Sequence, residues 1–417
     1  MDGFVYPNEV EIGWSILIVL YPFITGLVAG AFIVSSLYHV FGIKSLKPVA
    51  SFSLVMALAF LVVAPMPLQA HLGRPERAFS IFLTPNFTSA MAGFGYIWMG
   101  YLVLVLVETW LVFRPDIIRY AATSTGPKRL VYQALTLGVF EIDENARRID
   151  EWLIRVLAGV GIPAAALLHG YVGFLFGSLK ANPWWSTPLM PTIFLMSAIV
   201  SGMALLVVMY VASMKLLGRS VDEVCLTSLV KWLLGFLLVD LALEGLEILS
   251  MVYQAEESWK IISRLMTEGI PVSYFGIQFF LGSFVPVVLL HILAVGLVRG
   301  SKGTWLAFAS ASLVLVGVFA MRWNVVIGGQ MISKSLRGLV TYTPELGGRE
   351  GILAASVLMI LPFYIFSVIC SFIPPWGRPE AQEDAAYQDV GVESQAPAPA
   401  WARGATSVSS YAERDPR

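Results

Sequence analysis

The chain has 417 residues, 57% of them hydrophobic and 13% charged, with a formal net charge of −1 and a mean hydropathy of +0.75. Soluble domains carry about twice that share of charge, and nothing in so neutral a balance suits nucleic acid. The two cysteines, Cys225 and Cys370, lie far apart with no CxxC, which excludes a cysteine-ligated iron–sulfur cluster within one chain and argues against a structural disulfide.

Nine apolar runs of around twenty residues or more follow in chain order, each long enough to cross a ~30 Å hydrocarbon core. The bilayer core leaves unpaired backbone groups unsatisfied, so such runs must be helical. The pattern predicts an all-α, polytopic transmembrane bundle with helices near 14–42, 48–70, 87–113, 151–178, 187–214, 229–253, 272–298, 303–321 and 351–373. The first run follows an acidic stretch (Asp2, Glu9, Glu11) rather than a basic leader, so it reads as a retained helix. Segment 114–150 is expected to be a loop whose amphipathic stretch, Leu130 to Val139, lies on the interface. Residues 1–374 make the transmembrane domain. From Pro375 the composition turns to Ala, Pro, Ser, Gln and charge, which predicts a disordered tail over 375–417.

Lysine and arginine set the orientation. With the N-terminus outside, the inner loops hold Lys44, Lys47, Arg114, Arg119, Lys128, Arg129, Arg147 and Arg148 among others, and the outer loops hold fewer. The expected topology is N-terminus outside and C-terminus in the cytoplasm, in the cytoplasmic (inner) membrane.

Ionisable groups inside a membrane are costly and are functional candidates. Asp240, Glu244 and Glu247 share one helix, and spacings of four and three put them on one face. Three carboxylates in lipid would not all ionise, and a carboxyl that keeps its proton suits proton transfer. His169 lies in the outer half of its helix, His71 ends the second helix just before Arg74, and Arg322 sits where the eighth helix is expected to emerge. Imidazole, carboxyl and guanidinium groups converging on an apolar pocket suit a quinone, whose carbonyls need donors and whose two-electron chemistry needs two protons. Glu108 and His291 fall in the inner half and could mark a proton path. Trp184, Trp185, Trp259, Trp323 and Trp376 read as interfacial belt residues.

Two b haems would need four axial ligands, and the four histidines include only one pair at similar depth, so neither haem nor metal is expected. A secondary transporter is the other alternative. Transporters often carry inverted repeats, whereas no convincing repeat is visible and the carboxyl groups concentrate in one helix.

Several motifs then coincide. Phe174-Leu-Phe-Gly-Ser precedes Asn182-Pro-Trp-Trp-Ser-Thr-Pro-Leu-Met-Pro, Phe194-Leu-Met-Ser-Ala and Ser201-Gly. Leu72-Gly-Arg-Pro-Glu-Arg follows the second helix, and Arg322-Trp-Asn-Val-Val-Ile-Gly-Gly-Gln leads to Tyr342-Thr-Pro-Glu345. Together with Gly26-Leu-Val-Ala-Gly30 in the first helix, this order over roughly residues 10–373 resembles the NrfD/PsrC family. These are membrane subunits of polysulfide reductase and formate-dependent nitrite reductase systems, with HybB- and DsrP-type relatives.

The resemblance implies a quinone/quinol-interacting membrane subunit without haem or metal of its own, with menaquinone the expected quinone. It implies an iron–sulfur (ferredoxin-like) partner on the outer face, serving a molybdopterin enzyme, a hydrogenase or a multihaem cytochrome. It places Ile18 and Tyr21 where relatives turn polar first-helix residues toward the quinone, and Tyr21 can donate a hydrogen bond. The HybB/DsrP-type relatives typically have ten helices, as though this chain lacked the first. The residues expected at the head group are His71, His169, Asp240 and Glu244 in proton exchange. Tyr21, Arg74, Glu247 and Arg322 are expected in binding.

Overall fold

The computed structural model describes residues 2–7, 11–254 and 257–376. Glu9 and nearly all of the expected tail, from residue 377 on, lie outside the described residues. Among the described residues there are nine helices long and apolar enough to span a membrane. In order they are Ile16–His39, Lys44–His71, Ala90–Thr123, Glu144–Gly177, Met190–Leu216, Glu223–Tyr253, Val272–Ala294, Gly300–Met331 and Ile352–Phe372, called here the first to ninth spans.

Side-chain caps set several starts. Ser15, Ser89, Asp143 and Asp222 accept the backbone N–H of Leu17, Ala92, Ala146 and Cys225, each relieving one of the orphan donors of a helix N-terminus. The Asp143 cap accounts for one part of the main departure from the expected boundaries. The third span runs ten residues past its apolar stretch, and Asp143 starts the fourth span well before its own. The expected loop 114–150 is therefore mostly helix. Arg114 and Asp150 face each other from the two spans at 2.8 and 2.9 Å. The short helix Pro127–Leu135 between them docks through Tyr132 Oη donating to the Phe372 carbonyl, while Trp110 Nε1 donates to the Leu135 carbonyl.

The first, second and fifth spans form the core; the ninth is peripheral. Small residues bring the first and fifth together: a Cβ on Gly30 would stand 2.5 Å from the Ala198 carbonyl oxygen and 2.7 Å from the Gly202 Cα. Gly26 meets Ala198 one turn away, the small-xxx-small contact of membrane helices. Gly282 and Gly317 press the seventh span onto the eighth in the same way. Leu246, Leu249, Val357 and Ile360 stay exposed, as a lipid-facing surface requires.

Both of those spans depart from α geometry. Val272–Phe284 is wound as a π-helix, and Asn324–Gly328 continues the eighth span as another. Such wide turns often accompany functional sites. They also correct the position of Arg322, which lies inside a continuing helix, fully buried, rather than at an emerging end. At the end of the bundle bearing the N-terminus, β1 (Asp2–Phe4) pairs antiparallel with β2 (Arg337–Leu339). Trp14 stacks on Trp185 at 5.2 Å between ring centroids, and Trp185 Nε1 donates to the Val325 carbonyl. Trp185 is thus packed beneath this end and is not a belt residue.

Candidate functional site

Arg322 organises the interior. Its Nη2 donates to Ser197 Oγ at 2.7 Å, to His169 Nε2 at 3.1 Å and to the Phe194 carbonyl at 3.2 Å. The guanidinium lies 4.0 Å from the centroid of the Phe194 ring, where a cation meets the negative face of the ring. A guanidinium only donates, so His169 Nε2 accepts and its ring proton sits on Nδ1. That Nδ1 has no protein partner among the described residues, nor has Arg322 Nε.

Asp240 and Glu244, four residues apart on the sixth span, stand within electrostatic range of Arg322. Among the described residues Arg322 donates to neither carboxyl group, and its Nη1 meets Met321 Sδ at 3.5 Å. Asp240 Oδ1 is buried without a hydrogen bond among the described residues. Glu244 Oε2 accepts from Gln278 Nε2 at 3.1 Å, Gln278 Oε1 accepts from Asn324 Nδ2 at 2.8 Å, and Asn324 Oδ1 accepts from Ser273 Oγ at 2.6 Å. Glu247 lies one helical turn beyond Glu244, toward the end of the bundle bearing the chain's N-terminus. Arg322 is thus the cation that faces Asp240 and Glu244, and the three together are neutral when one of the two carboxyl groups holds a proton.

Two cavities flank Glu244. The one nearer the end of the bundle bearing the N-terminus, called the outer cavity for that position alone, has about 40 Å³ and is lined by Trp184, Met190, Glu247, Met251, Tyr274 and Asn324 among others. The inner, of about 10 Å³, is lined by Ser197, Asp240, Gly282, Ser283 and Gly317. Glu244, Gln278 and Met321 belong to both walls. The outer cavity has polar groups in its wall and is roomy enough for ordered water. Trp184 Nε1 is buried there without a partner among the described residues.

The structure therefore gathers His169, Asp240, Glu244, Glu247 and Arg322, and leaves the other expected residues elsewhere. His71 pairs with Glu350 at 2.7 Å, and Arg74 is exposed in the following loop. Tyr21 is buried edge-on to Phe94 and lines neither cavity. Glu108 is fully buried in the third span with both oxygens unpartnered among the described residues, away from the sixth-span carboxyls. His291 is exposed on the outside of the bundle, so it does not join Glu108 in an internal path. Among the described residues no group of three or more His, Cys, Asp and Glu side chains is placed to hold a metal ion.

Trp184, Tyr274, Gln278 and Asn324 join the site on faint sequence signals. Tyr274 and Gln278 stand four apart, and Asn324 falls two after Arg322. Trp184 has the sequence position of a belt residue, but it lines the outer cavity instead.

A family model described as polysulphide reductase, NrfD, matches residues 6–334. The C subunit of the selenate reductase of Mesobacillus selenatarsenatis is 28% identical over 384 residues, covering 88% of this chain and 86% of the relative. The Hdr-like menaquinol oxidoreductase integral membrane subunit of Archaeoglobus fulgidus is 23% identical, covering 90% and 88%. The C component of the polysulfide reductase of Wolinella succinogenes is 25% identical, covering 76% and 94%.

Proposed function

The chain belongs to the polysulphide reductase NrfD family, and from that premise we propose that it exchanges electrons between a quinone pool and a partner subunit of a respiratory oxidoreductase complex. It is an integral multi-pass membrane protein, and its relatives include subunits of selenate and polysulfide reductases. The observation that carries the quinone reading is the outer cavity, where Glu244, Glu247, Tyr274, Trp184, Gln278 and Asn324 share the wall with Met190, Met251, Met321 and Ile248.

A naphthoquinone ring is larger than the 40 Å³ between these side chains. It enters as the three methionines turn aside, an adjustment that an unbranched thioether makes cheaply. Trp184 Nε1 and the Tyr274 hydroxyl then supply donors to the ring oxygens. Oxidation of a quinol breaks two O–H bonds and releases two electrons and two protons. The protons pass to Glu244 and Glu247, and the electrons leave in turn for an iron–sulfur subunit on the N-terminal face. Reduction runs the same transfers backward. Asp240, deeper and beside Arg322, holds a further proton, while the Arg322 guanidinium keeps the region positive enough to admit a carboxylate.

The charge bias of the loops supports an outward N-terminus in the cytoplasmic membrane. Arg74, Arg77, Lys260, Arg264 and Arg337 would then face the partner. A relative named as a menaquinol oxidoreductase subunit favours menaquinone as the quinone.

The test is oxidation of a soluble dimethyl naphthoquinol by the purified complex, with ferricyanide collecting the electrons. Glu244→Gln, which keeps the shape but accepts no proton, should abolish turnover while the complex still assembles. Unchanged turnover would remove the cavity from consideration.

A further inference from the structure

The bonds joining Ser273, Asn324, Gln278 and Glu244 all point one way. Each donor lies farther from the carboxyl than the oxygen it serves. The Ser273 hydroxyl holds the Asn324 carbonyl oxygen, which turns the Asn324 amide nitrogen toward Gln278. That contact in turn directs the Gln278 amide nitrogen onto Glu244 Oε2. This series of bonds passes from the seventh span to the eighth and back, and its members sit on or at the margins of the two π-helical segments. Ser283 Oγ donates to the Gln278 carbonyl five residues back, in the register of the wide turn, and fixes the backbone from which Gln278 projects.

We infer that this series is a positioning device that reserves Glu244 Oε2 as a permanent hydrogen-bond acceptor and leaves Oε1 as the atom that takes and returns the proton; the inference rests on the quinone reading of the cavity. Amide groups exchange protons poorly, so the series orients the carboxyl and does not itself conduct. A carboxyl that received donors on neither oxygen would rotate freely between the outer and inner cavities, presenting either oxygen to the substrate. With Oε2 held by Gln278, only one oxygen of Glu244 is left to serve the cavity walls that it shares. The donor also favours the charged form that exists after the proton has left. Gln278, Asn324 and Ser273 are therefore positioning residues, acting through Glu244 rather than on the quinone.

The experiment uses the same purified complex and dimethyl naphthoquinol. Gln278→Met, which matches the length and removes the donor, should lower kcat by at least about tenfold, the low end of what a hydrogen bond to a charged group contributes. KM should stay within about twofold, the pattern of a group that matters in the transition state rather than in binding. The solvent deuterium isotope effect on kcat should rise as proton transfer becomes limiting. Ser273→Ala should move kcat and the isotope effect in the same direction by less, and Ser273→Thr should restore both. Ser273→Ala removes a single hydroxyl, so it decides the matter even if Gln278→Met fails to assemble. Wild-type kcat and isotope effect in Ser273→Ala, with Glu244→Gln inactive, would overturn this inference and leave the quinone reading standing. An active Glu244→Gln would overturn both.

Discussion

The Nη2 of Arg322 donates to Nε2 of His169 at 3.1 Å, so two side chains 153 positions apart in sequence fix each other's state. The imidazole is held neutral at Nε2 with its proton on Nδ1, and the guanidinium gains one of only a few acceptors available to a fully buried cation.

His169→Ala should therefore strand a buried charge. Losing a hydrogen bond to a charged group costs about 1.5–3 kcal/mol, and the complex should melt at a lower temperature in detergent, with quinol oxidation lost. His169→Gln, whose carbonyl oxygen can accept from Arg322, should recover most of the stability. Equal melting of the two variants would show that the contact contributes nothing.

Arg322 is expected to tolerate no substitute that keeps only its charge. Lysine lacks the flat guanidinium that lies against the Phe194 ring, and its shorter stem holds its single nitrogen back from Ser197, His169 and the Phe194 carbonyl. Removing one partner of a buried charged cluster costs roughly 3–5 kcal/mol. Arg322→Lys should sharply reduce the yield of assembled protein, scored by size-exclusion chromatography of the tagged protein.

Trp184→Phe separates the ring of Trp184 from its unpartnered N–H. Its loss should raise KM for the naphthoquinol roughly fivefold, the worth of about 1 kcal/mol for a neutral hydrogen bond, and leave assembly unchanged. An unaltered KM would move the head group away from this wall.

Gly30→Val should be among the most damaging changes in the bundle interior. Its added carbon would meet the Ala198 carbonyl at 2.5 Å, and separating the first and fifth spans costs about 1–3 kcal/mol. Gly235→Ala in the sixth span, where nothing lies within 4 Å of an added Cβ, should melt as wild type. The pair, compared by thermal unfolding in one detergent, isolates close packing from the general effect of replacing a glycine.

Orientation is tested by fusing alkaline phosphatase, active only outside the cytoplasm, after Arg264 and after Lys302. The first should be active and the second silent. The opposite pattern would place the N-terminus inside and move the proposed partner to the other face.

The spans were legible because hydrocarbon imposes a single, strong requirement on composition. Their ends were less so. The charged stretch 141–150 looked like loop, yet Asp143 caps it and Arg114 neutralises Asp150, so the helix continues beyond its apolar portion. Within the site, charge was the readable signal: Asp240, Glu244, Glu247, His169 and Arg322 stand out in lipid, and the fold brings them together. His71 and Arg74 stood out equally, but His71 meets Glu350, 279 residues later, a pairing no local pattern announces. Gln278, Asn324 and Ser273 were silent because neutral side chains incur no conspicuous cost in a helix, and their meeting depends on π-helical turns that sequence periodicity does not reveal.

The wide winding of Val272–Phe284 has a bearing on how this segment can change over time. Wound as an ordinary α-helix, the same residues would complete more revolutions, and everything beyond Phe284, including buried Leu290 and Leu293, would swing onto a different azimuth. A wide turn holds one amino acid more than an α turn, so loss of a single residue there can be absorbed by tightening one turn, and the remainder of the span keeps its azimuth.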